Sequence, residues 1–389
     1  MGENNTFPGN EPYNYIYGNY SGIISSNMTI KKMPIPWYIR DTLTVNSGVL
    51  TVEPGTEIVF GPGGGICVNS GGTIKMEGTP ASRITLRGES DSKGFWGQVR
   101  IESTKPNILA YIDLLYGGGG GTARYNTALY LNNGSASVTN CIIDGSGNIG
   151  ITTEGAQGVL TAFSNNIIKN CDNAPIRAED AIYSLRNMGA NNTFTDNEPN
   201  YIYINTSTAP SGDMILKKLN IPWYLSTGLE ITTSGKTFTI EPGTEIWVGG
   251  GYEINVGANS KLVAIGTVSQ RIKFRGDTDA PGQWIGIKVN TQTTGTKFAY
   301  CDISGGGPGT SWYNSSCLYI LDYAVVQLKE IEISKSRYFG ICFYSAHYSF
   351  WSSNVTISGM GQNDVWDNDT LTDTGSLPAN KWTFGDPTW

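Results

Sequence analysis

Residues 50–88 read LTVEPGTEIVFGPGGGICVNSGGTIKMEGTPASRITLRG, and residues 238–276 read FTIEPGTEIWVGGGYEINVGANSKLVAIGTVSQRIKFRG. The two stretches share the order of their apolar runs, their Glu-Pro-Gly-Thr turn and their closing Arg-Gly pair. Short runs rich in Val, Ile, Thr and Phe are separated by Gly, Pro and Asn, a pattern typical of short β-strands joined by turns. The chain therefore carries the same β-rich pattern twice.

The similarity extends beyond these stretches to most of both halves. The other matched segments include NNTF at residues 4 and 191, NEP at 10 and 197, IPWY at 35 and 221, and the pair Trp96 and Trp284. Because order and spacing are kept throughout, an internal duplication explains the chain better than chance similarity does.

The fold that this pattern predicts is all-β: a single-stranded right-handed parallel β-helix, or solenoid, in two duplicated halves. Many short strands with Gly and Asn turns also suit other all-β folds. A stacked coil is favoured because the halves can be joined end to end and because each coil pairs the backbone of the next, which leaves few open edges. The motif Asn165-Asn166-Ile167-Ile168 also places Asn, which tolerates left-handed backbone, beside apolar residues.

The domain organisation follows from the duplication. We expect residues 1–190 to form the first half of the β-helix and residues 191–358 the second half. Residues 359–389 do not match the first half, so they are predicted to be a C-terminal cap that covers the exposed edge of the last coil. The alternative is two separate β-helical domains with a break near Gly189.

Composition narrows the class of partner and the location. The net charge is −7, the sequence pI is about 4.9, and charged residues make up 15% of the chain, below the usual quarter or so. Nucleic acid is not an expected partner, since its binders are more often basic. No apolar run is long enough for a transmembrane segment. We expect a secreted or cell-surface protein, with outer-membrane attachment as one form; an export signal is removed on secretion, so its absence from the chain does not oppose this location.

The cysteines and the histidine are expected to be structural. None of the six cysteines forms a C-x-x-C pair, and Cys301 stands where the first half has Ile112, which favours buried free thiols. The alternative is a bridge between Cys317 and Cys342, about one coil apart. The one histidine, His347, lies in an aromatic stretch, and its counterpart in the first half is not a histidine, so we predict a structural or surface role.

Two duplicated acidic turns are candidate metal sites. The sequence Arg-Gly-acid-x-Asp begins at Arg87 and again at Arg275, and it supplies Glu89 and Asp91 in one copy and Asp277 and Asp279 in the other. Carboxylates two residues apart in a loop can converge on Ca²⁺. Calcium is the one cofactor that the sequence suggests, and no other is expected. The same residues are also ordinary components of a wide turn.

Two glycine-rich loops are candidate ligand-binding sites. Residues 117–126 read GGGGGTARYN and residues 305–314 read GGGPGTSWYN. The residues predicted to contact ligand are Arg124, Tyr125, Trp312 and Tyr313, because exposed aromatic rings can stack on sugar faces. In the alternative, these rings tuck each loop back onto its coil.

The repeated motif resembles a known family. The pattern L-x-V-x-P-G-T-x-I-x-F, followed by glycines, R-I-x-x-R-G and G-x-W, is similar to that of secreted bacterial right-handed parallel β-helix proteins of the pectin-lyase-like type. It most resembles their cell-surface, often lipid-anchored, members from gut bacteria. The resemblance covers most of the chain and implies the fold. The family includes pectate lyases and polygalacturonases, but the Gly-His-Gly and Asp-Asp motifs of polygalacturonases are missing here.

Two functions are therefore expected from the sequence, and a purely structural role is the remaining alternative. The first is a non-enzymatic surface or secreted protein that binds a glycan or another partner along one face; a polysaccharide or glycan is the expected partner. The alternative is a polysaccharide lyase or glycoside hydrolase with a calcium-assisted acidic site, in which Arg87 or Arg275 would act as the base. Oligomeric state does not follow from the sequence.

Overall fold

The structure, a computed structural model, is built almost entirely of parallel β-strands stacked as a solenoid, which confirms the expected β-helix. It describes residues 14–18, 22–119, 126–257, 259–278, 280–309, 315–344, 347–362, 364–367, 372–373 and 377–381. The chain divides into two compact units. One contains Met1–Asp180 and Asn187–Ile202, and the other contains Ala181–Arg186 and Tyr203–Trp389.

The first unit is a regular series of strands. In chain order they are β1 Ile16–Gly18, β2 Ile23–Ile24, β3 Met28–Ile30, β4 Trp37–Ile39, β5 Thr42–Val45, β6 Gly48–Val52, β7 Glu57–Phe60, β8 Gly65–Val68, β9 Gly72–Glu77, β10 Ile84–Gly88, β11 Val99–Ile101, β12 Asn107–Ala110, β13 Ile112–Leu115, β14 Thr127–Asn132, β15 Ser135–Thr139, β16 Ile142–Asp144, β17 Ile149–Glu154, β18 Val159–Ser164, β19 Ile167–Lys169, β20 Ile176–Ala178 and β21 Thr193–Thr195.

These strands form three parallel sheets, each of which receives one strand from successive coils. We name them sheet 1 (β1-β4-β7-β10-β13-β16-β19-β21), sheet 2 (β2-β5-β8-β11-β14-β17-β20) and sheet 3 (β3-β6-β9-β12-β15-β18). The chain thus passes from sheet 1 to sheet 2 to sheet 3 and then begins the next coil. Residues at the same corner of different coils are brought together although they are far apart in sequence.

The later strands follow the same plan. They are β22 Ile202–Ile204, β23 Met214–Leu216, β24 Trp223–Leu225, β25 Leu229–Ile231, β26 Thr237–Ile240, β27 Glu245–Val248, β28 Glu253–Val256, β29 Lys261–Ile265, β30 Ile272–Gly276, β31 Gly286–Val289, β32 Lys297–Ser304, β33 Ser316–Ile320, β34 Val325–Ser334, β35 Phe339–Phe343, β36 Ser349–Ser358, β37 Val365–Asp367 and β38 Thr372–Asp373, with a short 3-10 helix at Ile182–Leu185.

In the second unit one sheet consists of β25-β28-β31-β33-β35-β37, with β38 antiparallel at its end. The strands of the other faces include β32, β34 and β36, which are longer and run across a corner. The predicted cap, residues 359–389, thus contains one strand parallel to β35 and one antiparallel strand. Its capping role stays a prediction.

Columns of apolar side chains fill the interior of each coil stack. In sheet 1 the register places Ile58, Leu86, Leu114, Ile143, Ile168 and Phe194 above one another, and all of them are buried.

Asn140, Asn165 and Asn191 take positive φ angles of 57°, 56° and 60° where the chain turns into sheet 1. Asn tolerates this left-handed geometry, as the Asn165 motif predicts.

The duplicated motifs make the same contacts in each half. The indole nitrogen of Trp96 donates to the Leu115 carbonyl at 2.7 Å, and that of Trp284 donates to the Ser304 carbonyl at 2.8 Å. Both indole rings are fully buried, so these residues pack the coil.

The cysteines are free thiols, as predicted: all six are unbridged, five of them are buried and Cys67 is half-buried. Cys342 is paired in register with Tyr319, so it is offset from Cys317 by two residues along the neighbouring strand. That offset is roughly 6.6 Å along the strand in addition to the strand spacing, which is too far for a disulfide.

His347 lies at the surface, with 65% of its side chain exposed. It stacks on Tyr323 at a ring-centroid distance of 5.2 Å, and its Nδ1 lies 3.3 Å from an Asp322 carboxylate oxygen. Among the described residues, no helix has the length and apolar character needed to cross a membrane.

Replacing the first of the duplicated tryptophans tests the packing of the coil. Trp96→Ala removes a fully buried ring that stacks on Phe60 at 4.8 Å and leaves the Leu115 carbonyl without its donor. We expect the free energy of unfolding of the first unit to fall by about 3–5 kcal/mol, measured by denaturant titration. Ile23→Ala, in the same unit at a side chain that is 64% exposed, is the control and should change it by less than about 0.5 kcal/mol. An equal effect of the two variants would contradict the packing.

Candidate aromatic cleft of the first unit

A cleft of about 530 Å³ opens in the first unit where sheet 1 turns into sheet 2. Its described lining consists of Tyr15, Tyr17, Tyr38, Arg40, Pro62 and Glu89. These residues come from four successive coils: they lie in or beside β1, in or after β4, after β7 and after β10. Coil stacking therefore assembles this cleft from short segments, none of which forms a site by itself.

Three tyrosine rings form one wall of the cleft. The register pairs Tyr17 of β1 with Tyr38 of β4, and their ring centroids lie 5.1 Å apart. Tyr15 stacks on Tyr38 at 5.4 Å with an interplanar angle of 27°. Tyr38 is buried, whereas Tyr17 is 58% exposed. The cluster thus has a fixed base and an open aromatic surface.

Glu89 and Arg40 supply the charged groups of the cleft. The Tyr38 hydroxyl donates to Glu89 Oε2 at 3.1 Å, which orients the carboxylate. Arg40 follows Tyr38 by two residues and is exposed. Gly61 lies beneath both: a Cβ there would lie 2.7 Å from the Arg40 carbonyl oxygen and 3.0 Å from the Tyr38 hydroxyl oxygen. A larger residue at position 61 would therefore displace the Tyr38 hydroxyl.

The environment keeps Tyr38 protonated. Burial, together with the hydrogen bond to Glu89 and the negative charge of that carboxylate, raises the pKa of Tyr38 to about 12. At neutral pH its hydroxyl is a hydrogen-bond donor and not a base. Among the described residues, no hydrogen bond is formed by the other oxygen of the Glu89 carboxylate.

The second half retains part of this arrangement. Tyr203 and Tyr224 lie at the matching positions of the second copy, with their ring centroids 5.6 Å apart and their planes at 64°. Ser226 stands where the first copy has Arg40, and Asp277 stands where it has Glu89. The tyrosine pair belongs to the repeat, but the guanidinium is specific to the first unit.

The predicted metal residues are not assembled by the described part of the chain. Glu89 lines the aromatic cleft, while Asp91 and Asp277 lie in exposed turns. Within the described residues, no group of three or more His, Cys, Asp or Glu side chains could hold a metal ion. Asp279 lies outside the described residues, so a calcium site at these turns stays a prediction.

The arginines of the same turns form ion pairs with glutamates of the preceding coils. Arg87 Nε lies 2.6 Å from Glu57 Oε1 of the preceding coil, and Arg275 Nε lies 3.0 Å from Glu245 Oε1. Arg275 also lies over the Trp247 ring at 4.1 Å. Both guanidinium groups connect neighbouring coils, which accounts for their presence in both copies.

The predicted loop residues Arg124, Tyr125, Trp312 and Tyr313 all lie outside the described residues. Tyr15, Tyr17, Tyr38 and Arg40 were not predicted from the sequence as site residues. Because the tyrosine pair recurs in both halves, its sequence pattern indicates packing between coils and not a binding site. The difference between Arg40 and Ser226, within otherwise matched segments, is the signal that could have identified the cleft.

Comparison with known proteins gives one short match. The chain is similar to Protein bark beetle of Drosophila melanogaster, with 36% identity over 75 residues, which is 19% of this chain and 2% of that protein. The chain therefore spans a small fraction of the length of the relative that it matches. No family model matches the chain, and no solved structure matches it.

Glu89→Gln tests the contact between Tyr38 and the carboxylate. Without the negative charge, the pKa of Tyr38 should fall from about 12 toward its ordinary value of 10.0, although burial keeps it above that value. Tyrosinate absorbance is measured against pH for the wild type and for Glu89→Gln. From each titration, that of the same protein with Tyr38→Phe added is subtracted, which leaves the contribution of Tyr38. An unchanged titration of Tyr38 would show that Glu89 does not contact the hydroxyl.

Proposed function

We propose that this chain is a non-enzymatic secreted or cell-surface β-helix protein of the bacterial, pectin-lyase-like type, and that it binds glycan in the aromatic cleft of the first unit. The observation that carries the proposal is the exposed Tyr17 ring, packed at 5.1 Å against Tyr38 beside the Glu89 carboxylate. The family placement rests on the repeated sequence motif.

The chemistry of a sugar matches the two sides of this cleft. The C–H face of a sugar ring is apolar and packs on a tyrosine ring, which is large, rigid and low in conformational entropy. Sugar hydroxyls both donate and accept, so they can donate to Glu89 and accept from Arg40. The cleft volume of about 530 Å³ lies within the common range of small-ligand sites, roughly 300–1,000 Å³.

Binding fits this geometry better than catalysis does. Most glycoside hydrolases place two carboxylates across the scissile bond, whereas Glu89 is the one carboxylate among the described residues that line the cleft. Tyr38, with its pKa at about 12, is a poor base near neutral pH. We therefore retain binding as the proposal.

Tyr17→Ala tests the aromatic contact. Loss of the exposed ring should weaken binding of the recognised polysaccharide about five- to tenfold, because an aromatic stacking contact is worth on the order of 1 kcal/mol. The wild-type chain and its variants are compared on an immobilised panel of plant, microbial and host polysaccharides. Tyr323→Ala is the matched control, since Tyr323 is 54% exposed but lies in the second unit. The proposal is wrong if both variants bind like the wild type.

A depolymerisation screen separates binding from catalysis. The same polysaccharides are incubated with the protein, with and without Ca²⁺, and new reducing ends and unsaturated products are followed. We expect none, since the proposed role is to hold the glycan. A product that forms only with Ca²⁺, and that Asp279→Ala abolishes, would instead establish the calcium-assisted enzyme.

A further inference from the structure

The outward face of sheet 2 in the first unit carries a second set of polar side chains. The register of β8, β11, β14, β17 and β20 aligns Cys67, Arg100, Tyr130, Thr152 and Arg177 in one outward column. The alternate positions point inward, as the buried residues Ile101, Leu131 and Ile151 show. This column therefore lies on the outside of the coils.

Carboxylates beside this column form ion pairs or hydrogen bonds with its side chains, and an amide donates to one of these carboxylates. Arg100 forms an ion pair with Glu102, and the Tyr130 hydroxyl donates to Glu154 on the next coil. Arg177 Nε lies 2.5 Å from a carboxylate oxygen of Glu179. Asn132 Nδ2 donates to Glu102 Oε1 at 3.1 Å. We call these residues, together with Thr152, the polar column.

Thr152 is a member of the polar column that has neither an ion pair nor a hydrogen bond from its side chain within the described residues. The residue is fully buried, and its hydroxyl has no hydrogen-bond partner among the residues that the structure describes. Its register neighbours are Tyr130 and Arg177, so the hydroxyl lies within the cluster and not in the apolar interior. A buried hydroxyl without a partner costs stability, and such groups in folded proteins are uncommon and often mark a place where a ligand or water is received.

The second unit shows that the coil does not require this polar column. The matching outward positions there are Lys288, Tyr319, Cys342 and Trp366, aligned by the same kind of register. Tyr319, Cys342 and Trp366 are buried in an apolar cluster with Leu321 and Tyr344 packed against it. In particular, Cys342 occupies the position of Thr152 and needs no hydrogen-bond partner.

We propose that the polar column of the first unit is a second binding surface for a polyhydroxylated chain, a further stretch of the glycan held in the aromatic cleft. This inference rests on the proposed function. A sugar hydroxyl can donate to a Glu carboxylate, accept from an Arg guanidinium, and pair with the Thr152 hydroxyl in either direction. Arg177 is 24% exposed at its side chain and has a long flexible stem, so it is the group that moves to admit the sugar.

Thr152→Val tests the proposal because it separates stability from binding. The variant keeps the shape of the side chain and removes the unpartnered hydroxyl, so the melting temperature should stay the same or rise. Binding of the polysaccharide identified on the panel should weaken about three- to tenfold, the value of one hydrogen bond. The matched control is Thr153→Val at the adjacent buried residue, whose side chain faces the interior: it should leave affinity unchanged.

The outcomes distinguish this inference from the proposed function. If Thr152→Val binds like the wild type while Tyr17→Ala weakens binding, the polar column is structural and the cleft stands. If Thr152→Val weakens binding and Tyr17→Ala does not, the column is the glycan surface and the cleft is not. If the wild type binds none of the polysaccharides, both proposals are overturned. If Thr152→Val and Thr153→Val weaken binding equally, the effect is one of folding and the inference is wrong.

Discussion

Parallel backbone pairing between successive coils determines where every other feature of each unit lies. In each unit, strands of one coil hydrogen-bond to strands of the next in a fixed register. A slip of one residue would send the inward column that contains Leu86 and Leu114 to the surface, because side chains alternate between faces. Burial of these apolar columns therefore fixes the register, and the register fixes every outward column and every corner. The cleft and the polar column both follow from it.

The same constraint explains what the sequence could and could not predict. The repeated turns and alternating apolar runs identify the β-helix, and the Asn165 motif identifies a left-handed corner, because both are local patterns. The aromatic cleft is not local: Tyr17, Tyr38 and Glu89 come from three different coils and meet only through stacking. Coil lengths vary with the inserted turns, so the register that aligns them cannot be read from spacing alone. The acidic turn was recognised, but its partner Tyr38 was not.

The two halves show which features belong to the coil and which do not. The buried tryptophans and the inter-coil pairs Arg87–Glu57 and Arg275–Glu245 occur in both, as expected of contacts that hold coils together. Arg40 and Thr152 are replaced by Ser226 and Cys342 in the second half. Residues that coil stacking requires are the same in both halves, whereas residues that it does not require differ between them. The differences between the copies are therefore better guides to function in this chain than the similarities.

A crystal structure of the chain with an oligosaccharide from the recognised polysaccharide would show whether the aromatic cleft holds the sugar. We expect a sugar ring packed against Tyr17 and Tyr38, with one of its hydroxyls donating to Glu89. A sugar bound elsewhere on the chain, with the aromatic cleft empty, would contradict it.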